Sequence, residues 1–137
     1  TDEEKLSELR LKAFVLEILA SFEAAANNSG NYVEKAVLYM EINYHRKFNL
    51  SDMAGDLGLE YSYFFRLFKK ALGISPGEYL MNLRIEKAKK LIAAGRESML
   101  TIALETGFCS QSHFNKVFKS VTGMTPKEYR ASIIDIY

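Results

Sequence analysis

Tyr61, Ser62, Phe65, Arg66 and Lys69 share one side of a helical period, and so do Gln111, Ser112, Asn115, Lys116 and Lys119. The first set offers a guanidinium, an ammonium, a hydroxyl and two aromatic rings. The second offers two carboxamides, a hydroxyl and two ammonium groups. Guanidinium and carboxamide groups can each make two parallel hydrogen bonds to a base edge, and an ammonium pairs with phosphate. Catalysis has much less to work with. No nucleophile–base pair stands at a recognisable spacing, and no glycine loop suited to phosphate is present. Ser110 and His113 lie close together at a helix start, but no third group accompanies them, so Ser110 reads as a cap. Cys109 is the single cysteine, and His45 and His113 are far apart, which leaves little for a metal. No catalytic residue, metal or cofactor is expected.

These side chains need helices that hold their opposite faces in a core. Over 61–72, Phe64, Leu67, Phe68, Ala71 and Leu72 follow the i, i+3, i+4, i+7, i+8 spacing and are predicted to face inward. Over 111–121, Phe114, Val117, Phe118 and Val121 do the same. A polar outer face on one such helix is what any surface helix shows. Here, however, the arrangement is repeated. The segment Ala54–Gly58 recurs as Ala103–Gly107 at an offset of 49 residues. Phe64, Phe68, Lys69, Gly73, Pro76, Glu78 and Tyr79 recur as Phe114, Phe118, Lys119, Gly123, Pro126, Glu128 and Tyr129 at an offset of 50. The second copy therefore holds one extra residue in its turn. Each copy reads as a short helix, a glycine turn, a longer helix, a glycine and then Ser/Thr-Pro, the pattern of a helix-turn-helix whose second helix can enter a DNA major groove. Two copies at one period can serve one continuous ligand.

The rest of the chain is helical in period, with no convincing strand alternation. One helix is predicted over 4–26, where Leu6, Leu9, Ala13, Leu16 and Ala20 form a stripe that Phe14, Val15, Ile18, Leu19 and Phe22 widen. Asn27–Asn31 reads as a linker. A helix over 32–45 follows, carrying Val33, Val37, Leu38, Met40 and Ile42. Ser51 is the expected N-cap of the next, which Gly58 ends. Ser75-Pro76 opens a long helix to Ala94, closed by Gly95, with Tyr79, Leu80, Leu83, Ala88, Leu91 and Ile92 inward. A short helix to Gly107, one over 111–121 and one from Pro126 complete the chain. The fold class is all-α: two helix-turn-helix subdomains joined by a long helix, plus an N-terminal helix.

Composition agrees with a folded domain: 137 residues, 48% apolar, 26% charged, two prolines. The apolar runs are far shorter than the roughly 20 residues needed to span a bilayer, and the start lacks the order of a secretory signal. A lone cysteine suits a reducing compartment, so a cytoplasmic location is expected. The net charge of +1 splits into −3 over residues 1–30 and +4 over 31–137. The chain begins with Thr, which reads as a fragment of a longer protein.

Residues 31–137 resemble the DNA-binding domain of the AraC/XylS family of bacterial transcription regulators. The resemblance is carried by Leu57–Gly58, Phe64–Lys70, Gly73–Pro76 and Tyr79–Ala88 with Arg84, and then by Ile102–Phe108, Ser112–Lys119 and Gly123–Arg130. It implies a sequence-specific regulator with seven helices: a first subdomain over 31–75, a connecting helix over 76–94 and a second subdomain over 95–137. The reading helices 61–72 and 111–121 would enter successive major grooves ~34 Å apart. Motif position assigns base contact to Tyr61, Ser62, Phe65 and Arg66, and to Gln111, Ser112, Asn115 and Lys116. Arg66 would pair with guanine, and Gln111 or Asn115 with adenine. Phosphate contact falls to Lys69, Lys70 and Lys119, and to backbone N–H groups near Ser75 and Thr125. The implied partners are double-stranded DNA, a second copy through helix 4–26, and RNA polymerase. A small-molecule effector would act only through a domain outside this chain. The alternative for helix 4–26 is that it folds back on the body.

Two residues depart from the family pattern. Glu60 stands where a serine N-cap is usual, and Phe65 where a polar residue is usual. Phe65 could meet a thymine methyl or another protein surface. Cys109 is expected to be a small, half-buried apolar residue. The competing reading of the whole chain is a helical protein-interaction module that keeps the fold with weak or no DNA binding.

Overall fold

The computed structural model describes residues 10–12 and 28–136. Among them are seven helices: α1 (Asn28–Asn43), α2 (Leu50–Asp56), α3 (Tyr61–Leu72), α4 (Pro76–Ala94), α5 (Met99–Glu105), α6 (Gln111–Thr122) and α7 (Pro126–Ile136). Residues 10–12 are also helical. No strand occurs among the described residues. The remainder of the predicted helix 4–26, with its broad apolar surface, lies outside them. Of its described part, Leu11 packs against the first core.

Start and stop signals act as elementary capping rules require. Ser75 precedes Pro76, and its hydroxyl accepts the Glu78 N–H at 3.2 Å. Ser98 accepts from Thr101 at 3.1 Å, and Ser110 from His113 at 3.1 Å. These hydroxyls satisfy first-turn donors that the helix itself leaves orphaned. α2 differs from expectation. Its cap is Asn49, whose side-chain oxygen accepts the Ser51 N–H at 2.7 Å, and the helix begins at Leu50. Both residue types suit the position, and only the backbone path decides between them.

Two separate cores form. The first gathers Val33, Ala36, Val37 and Met40 of α1, Met53 and Ala54 of α2, Phe64, Phe68 and Leu72 of α3, and Tyr79, Leu80 and Leu83 of α4. The second gathers Ile85, Ala88 and Ile92 of α4 with Ile102, Ala103, Phe108, Phe114, Phe118 and Tyr129. Met81 packs on both. The repeated aromatics make the same figure twice. Phe68 meets Phe64 at 5.7 Å and Tyr79 at 5.6 Å between ring centroids; Phe118 meets Phe114 at 5.7 Å and Tyr129 at 5.5 Å. Edge-on and tilted rings at these separations add to simple area burial.

Several expectations need correction. α1 starts at Asn28, so Asn28–Gly30, read as linker, form its first turn. That turn has no apolar residue in its sequence, and hydrophobic periodicity is blind to it. Leu38 and Ile42 are 49% and 68% exposed. Ala71 is exposed, and Val121, its counterpart in the repeat, is 40% exposed. Both sit in the last turn of their helices. Leu91 is half-buried and packs against the second core, as expected. Cys109 is exposed.

Candidate nucleic-acid interface

Each helix-turn-helix closes by the same device. After α2, the Leu59 N–H donates to the Ala54 carbonyl at 2.9 Å; after α5, the Phe108 N–H donates to the Ala103 carbonyl at 3.0 Å. This six-to-one bond needs a left-handed residue before it, supplied by Gly58 at φ 81° and Gly107 at φ 89°. The offset is still 49 there and becomes 50 at the caps, Glu60 and Ser110. Cys109 is therefore the extra residue. It lengthens the second turn by one position and is exposed.

α3 and α6 then present the predicted faces. On α3, Phe64 and Phe68 are fully buried, while Ser62, Arg66, Lys69 and Lys70 are exposed. Tyr61 and Phe65 are half-buried on the outer side. Their rings meet edge-on at 6.1 Å, and Lys69 Nζ lies 6.0 Å from the Phe65 centroid. Phe65 thus lies between Tyr61 and Lys69. Glu60 caps α3 with extended backbone and no side-chain hydrogen bond, as expected from its chemistry. On α6, Phe114 and Phe118 are fully buried; Gln111, Ser112, Asn115, Lys116 and Lys119 are all exposed. The His113 ring rests edge-on against Phe108 at 5.5 Å.

Ser75 and Thr125 are half-buried at the starts of α4 and α7. Thr125 Oγ1 accepts the Glu128 N–H at 3.1 Å, the counterpart of the Ser75–Glu78 bond. One surface cleft brings Gln111 and Asn115 together with Thr125, Lys127 and Arg130. Arg130 is held there by donation to the Glu97 carbonyl at 3.2 Å. Lys127 is an addition to the predicted set. The repeat could not reveal it, because its counterpart in the first copy is Gly77.

α3 packs with Tyr79, Leu80 and Leu83 of α4 in the first core, and α6 with Ile85, Ala88 and Ile92 in the second, so the two helices rest on successive parts of one 19-residue helix. No group of three or more His, Cys, Asp or Glu suited to a metal occurs among the described residues. No helix among them is long and apolar enough to cross a membrane.

Comparison with known proteins agrees with this architecture. A family model described as a helix-turn-helix domain matches residues 53–132. The virulence regulon transcriptional activator VirF of Yersinia enterocolitica is 33% identical over 135 residues, covering 94% of this chain and 50% of that protein. The chain thus spans about half the length of this curated relative, and 24% of an uncharacterized regulator of Haemophilus influenzae that is 41% identical over 70 residues. Among solved structures, an AraC-type DNA-binding domain-containing regulator from Chromobacterium violaceum matches with a TM-score of 0.69 and 32% identity, over 77% of this chain and 94% of that one. The C-terminal domain of the response regulator yesN from Fusobacterium nucleatum matches with a TM-score of 0.70 and 35% identity, over 73% and 98%. The doubled helix-turn-helix, the two outward faces and these matches together place the chain in the AraC-type helix-turn-helix family of transcription regulators.

Proposed function

We propose that this chain binds duplex DNA sequence-specifically, seating α3 and α6 in successive major grooves on one side of the helix. The observation that carries this reading is the pair of matched outer faces on α3 and α6, both helices packed on one connecting helix. α6 would read purines: Gln111 or Asn115 pairs bidentately with adenine, while Lys116 favours guanine and Ser112 adapts to either edge. α3 would read differently. Arg66 pairs with guanine, and the Tyr61–Phe65 pair presents apolar surface to thymine methyl groups, with Ser62 beside it. Lys69, Lys70 and Lys119, with Lys127 and the first-turn N–H groups after Ser75 and Thr125, would hold phosphates and so set register rather than sequence.

The protein of which this chain is the DNA-binding part would act in the bacterial cytoplasm, as an activator in the manner of the relative named above. Dimerisation through helix 4–26, contact with RNA polymerase and response to an effector bound by another domain belong to the same proposal. Its role is binding, not catalysis.

Selection of bound duplexes from a random pool at two salt concentrations tests the reading. Two enriched blocks centred about 10 base pairs apart are expected. One block would mean that a single subdomain reads bases. No enrichment with folded protein would overturn the reading. It would leave the protein-interaction module, which the half-buried Phe65 on the outer side of α3 and the acidic Glu60 favour.

A further inference from the structure

The two glycines of the repeated turn share a left-handed backbone but not their surroundings. A Cβ built on Gly58 would meet nothing within 4 Å. A Cβ on Gly107 would collide with the Tyr44 carbonyl oxygen and stand 2.8 Å from Arg84 Nε and 3.0 Å from Arg84 Cζ. Gly58 answers only to its own turn. Gly107 also answers to a loop of the other subdomain and to a side chain of the connecting helix.

Arg84 lies at the middle of α4 and is only 7% exposed. Its Nε donates to the Tyr44 carbonyl at 3.0 Å and its Nη2 to the Arg46 carbonyl at 3.1 Å. Both acceptors belong to the loop after α1, about 40 residues earlier. The guanidinium carbon is 5.8 Å from the Phe48 ring centroid. Burial lowers the Arg84 pKa from its ordinary value, yet a guanidinium stays charged at any working pH. A second cation follows one turn on: Lys87 Nζ is 3.7 Å from Glu41 of α1 and 5.3 Å from the Tyr44 ring centroid. Three elements therefore converge on one fork: the α1–α2 loop, α4, and the turn that precedes α6.

This junction matters because it ties a loop of the first half to the turn of the second. Among the described residues their cores are separate, and of the flanking apolar residues Met81 packs on both. A helix crossing between two cores can bend or swivel unless something fixes it. A planar fork of donors fixes direction as well as distance, which an ammonium or an apolar chain does not.

We infer that Arg84, clamped between the Tyr44 and Arg46 carbonyls and the bare face of Gly107, is the positioning residue that holds the two reading helices in one register. This rests on the DNA reading above. Linked modules gain ~10²–10⁴ in affinity when both can seat, and lose that gain when the geometry forbids it. A rigid link thereby selects half-site spacing without touching a base.

The test has two arms. In the first, binding is measured to a duplex carrying both selected blocks, to one with a base pair inserted between them, and to a single-block duplex. The unmodified chain should prefer the native spacing by about tenfold or more. Arg84→Met should reduce that preference below about threefold while leaving single-block affinity unchanged. Gly107→Ala should follow Arg84→Met, whereas Gly58→Ala should keep the spacing preference. Arg84→Lys, which keeps the charge without the fork, serves if Arg84→Met does not fold. In the second arm, spin labels at Ala71→Cys and Ser120→Cys, with Cys109→Ser, report the distance between α3 and α6 without DNA. One narrow distribution should broaden in Arg84→Met and Gly107→Ala and stay narrow in Gly58→Ala. Folded Arg84→Met and Gly107→Ala with native spacing preference and a narrow distribution would overturn the inference. Failure of the unmodified chain to distinguish any duplex would instead overturn the DNA reading, with the latch then decided by the distance distributions.

Discussion

Replacing Glu60 by serine should stabilise the protein, and the gain should grow with salt. α3 begins at Glu60 without a side-chain cap, whereas the matching start of α6 has Ser110 accepting the His113 N–H at 3.1 Å. In Glu60→Ser the new hydroxyl would take the Tyr63 N–H in the same geometry. A serine cap contributes about 1 kcal/mol relative to a residue that does not cap. Against this, the carboxylate of Glu60 sits beside the positive end of α3, an interaction of about 0.3–1 kcal/mol at low ionic strength that salt screens. The net gain should therefore be about 0–0.7 kcal/mol in dilute buffer and approach about 1 kcal/mol above ~0.5 M salt. For a chain of this size, 1 kcal/mol corresponds to about 4 °C in Tm. Urea and thermal unfolding followed by circular dichroism at two salt concentrations supply the numbers. Ser110→Ala is the internal control and should lose about 1 kcal/mol at both salts. Glu60→Gln removes the charge without a good cap and should lose stability only at low salt. A Glu60→Ser gain that is absent at high salt, in the presence of the Ser110→Ala loss, would refute the capping argument. A gain that shrinks with salt would refute the charge argument.

Further outcomes follow from the same geometry. Replacing thymine by deoxyuridine in the block read by α3 should weaken binding by several-fold, and Phe65→Ala should abolish that difference; equal binding of both duplexes by the unmodified chain would remove Phe65 from the reading set. Lys119→Ala should weaken specific and random duplexes alike and make the log–log salt slope shallower by about 1, which titrations at four salt concentrations would show. Tyr79 is 2% exposed, and its hydroxyl has no hydrogen-bond partner among the described residues. Burial, with a smaller contribution from the Glu41 charge, raises its pKa to about 12. The folded state therefore resists ionisation that the unfolded chain accepts near pH 10, so this contribution is complete below pH 10 and is lost between about 10 and 12. Tyr79→Phe should flatten the alkaline fall in stability across that window at little cost near neutrality, and an unchanged pH profile would count against it.

What the sequence determined is everything that repeats within one helix or one turn. Phe64 and Phe68, and fifty residues on Phe114 and Phe118, mark their inner faces because apolar periodicity reports the direction of burial. Gly58 and Gly107 mark turns because both need a left-handed backbone, and Ser75 and Ser110 mark helix starts because short hydroxyl chains reach orphaned donors. The outer faces of α3 and α6 follow by subtraction. Tertiary structure decided what depends on residues distant in the chain. Ala71 and Val121 continue the inward pattern yet are exposed, while Leu72 in the same last turn as Ala71 is buried in the first core. Asn49 rather than Ser51 caps α2, since the path of the preceding loop chooses between two suitable residues. Arg84 reads as one more cation on a helix, and Gly107 as a copy of Gly58. Only the fold brings the carbonyls of Tyr44 and Arg46 to that guanidinium, and a hydrogen bond across 40 residues leaves no periodic trace in the chain.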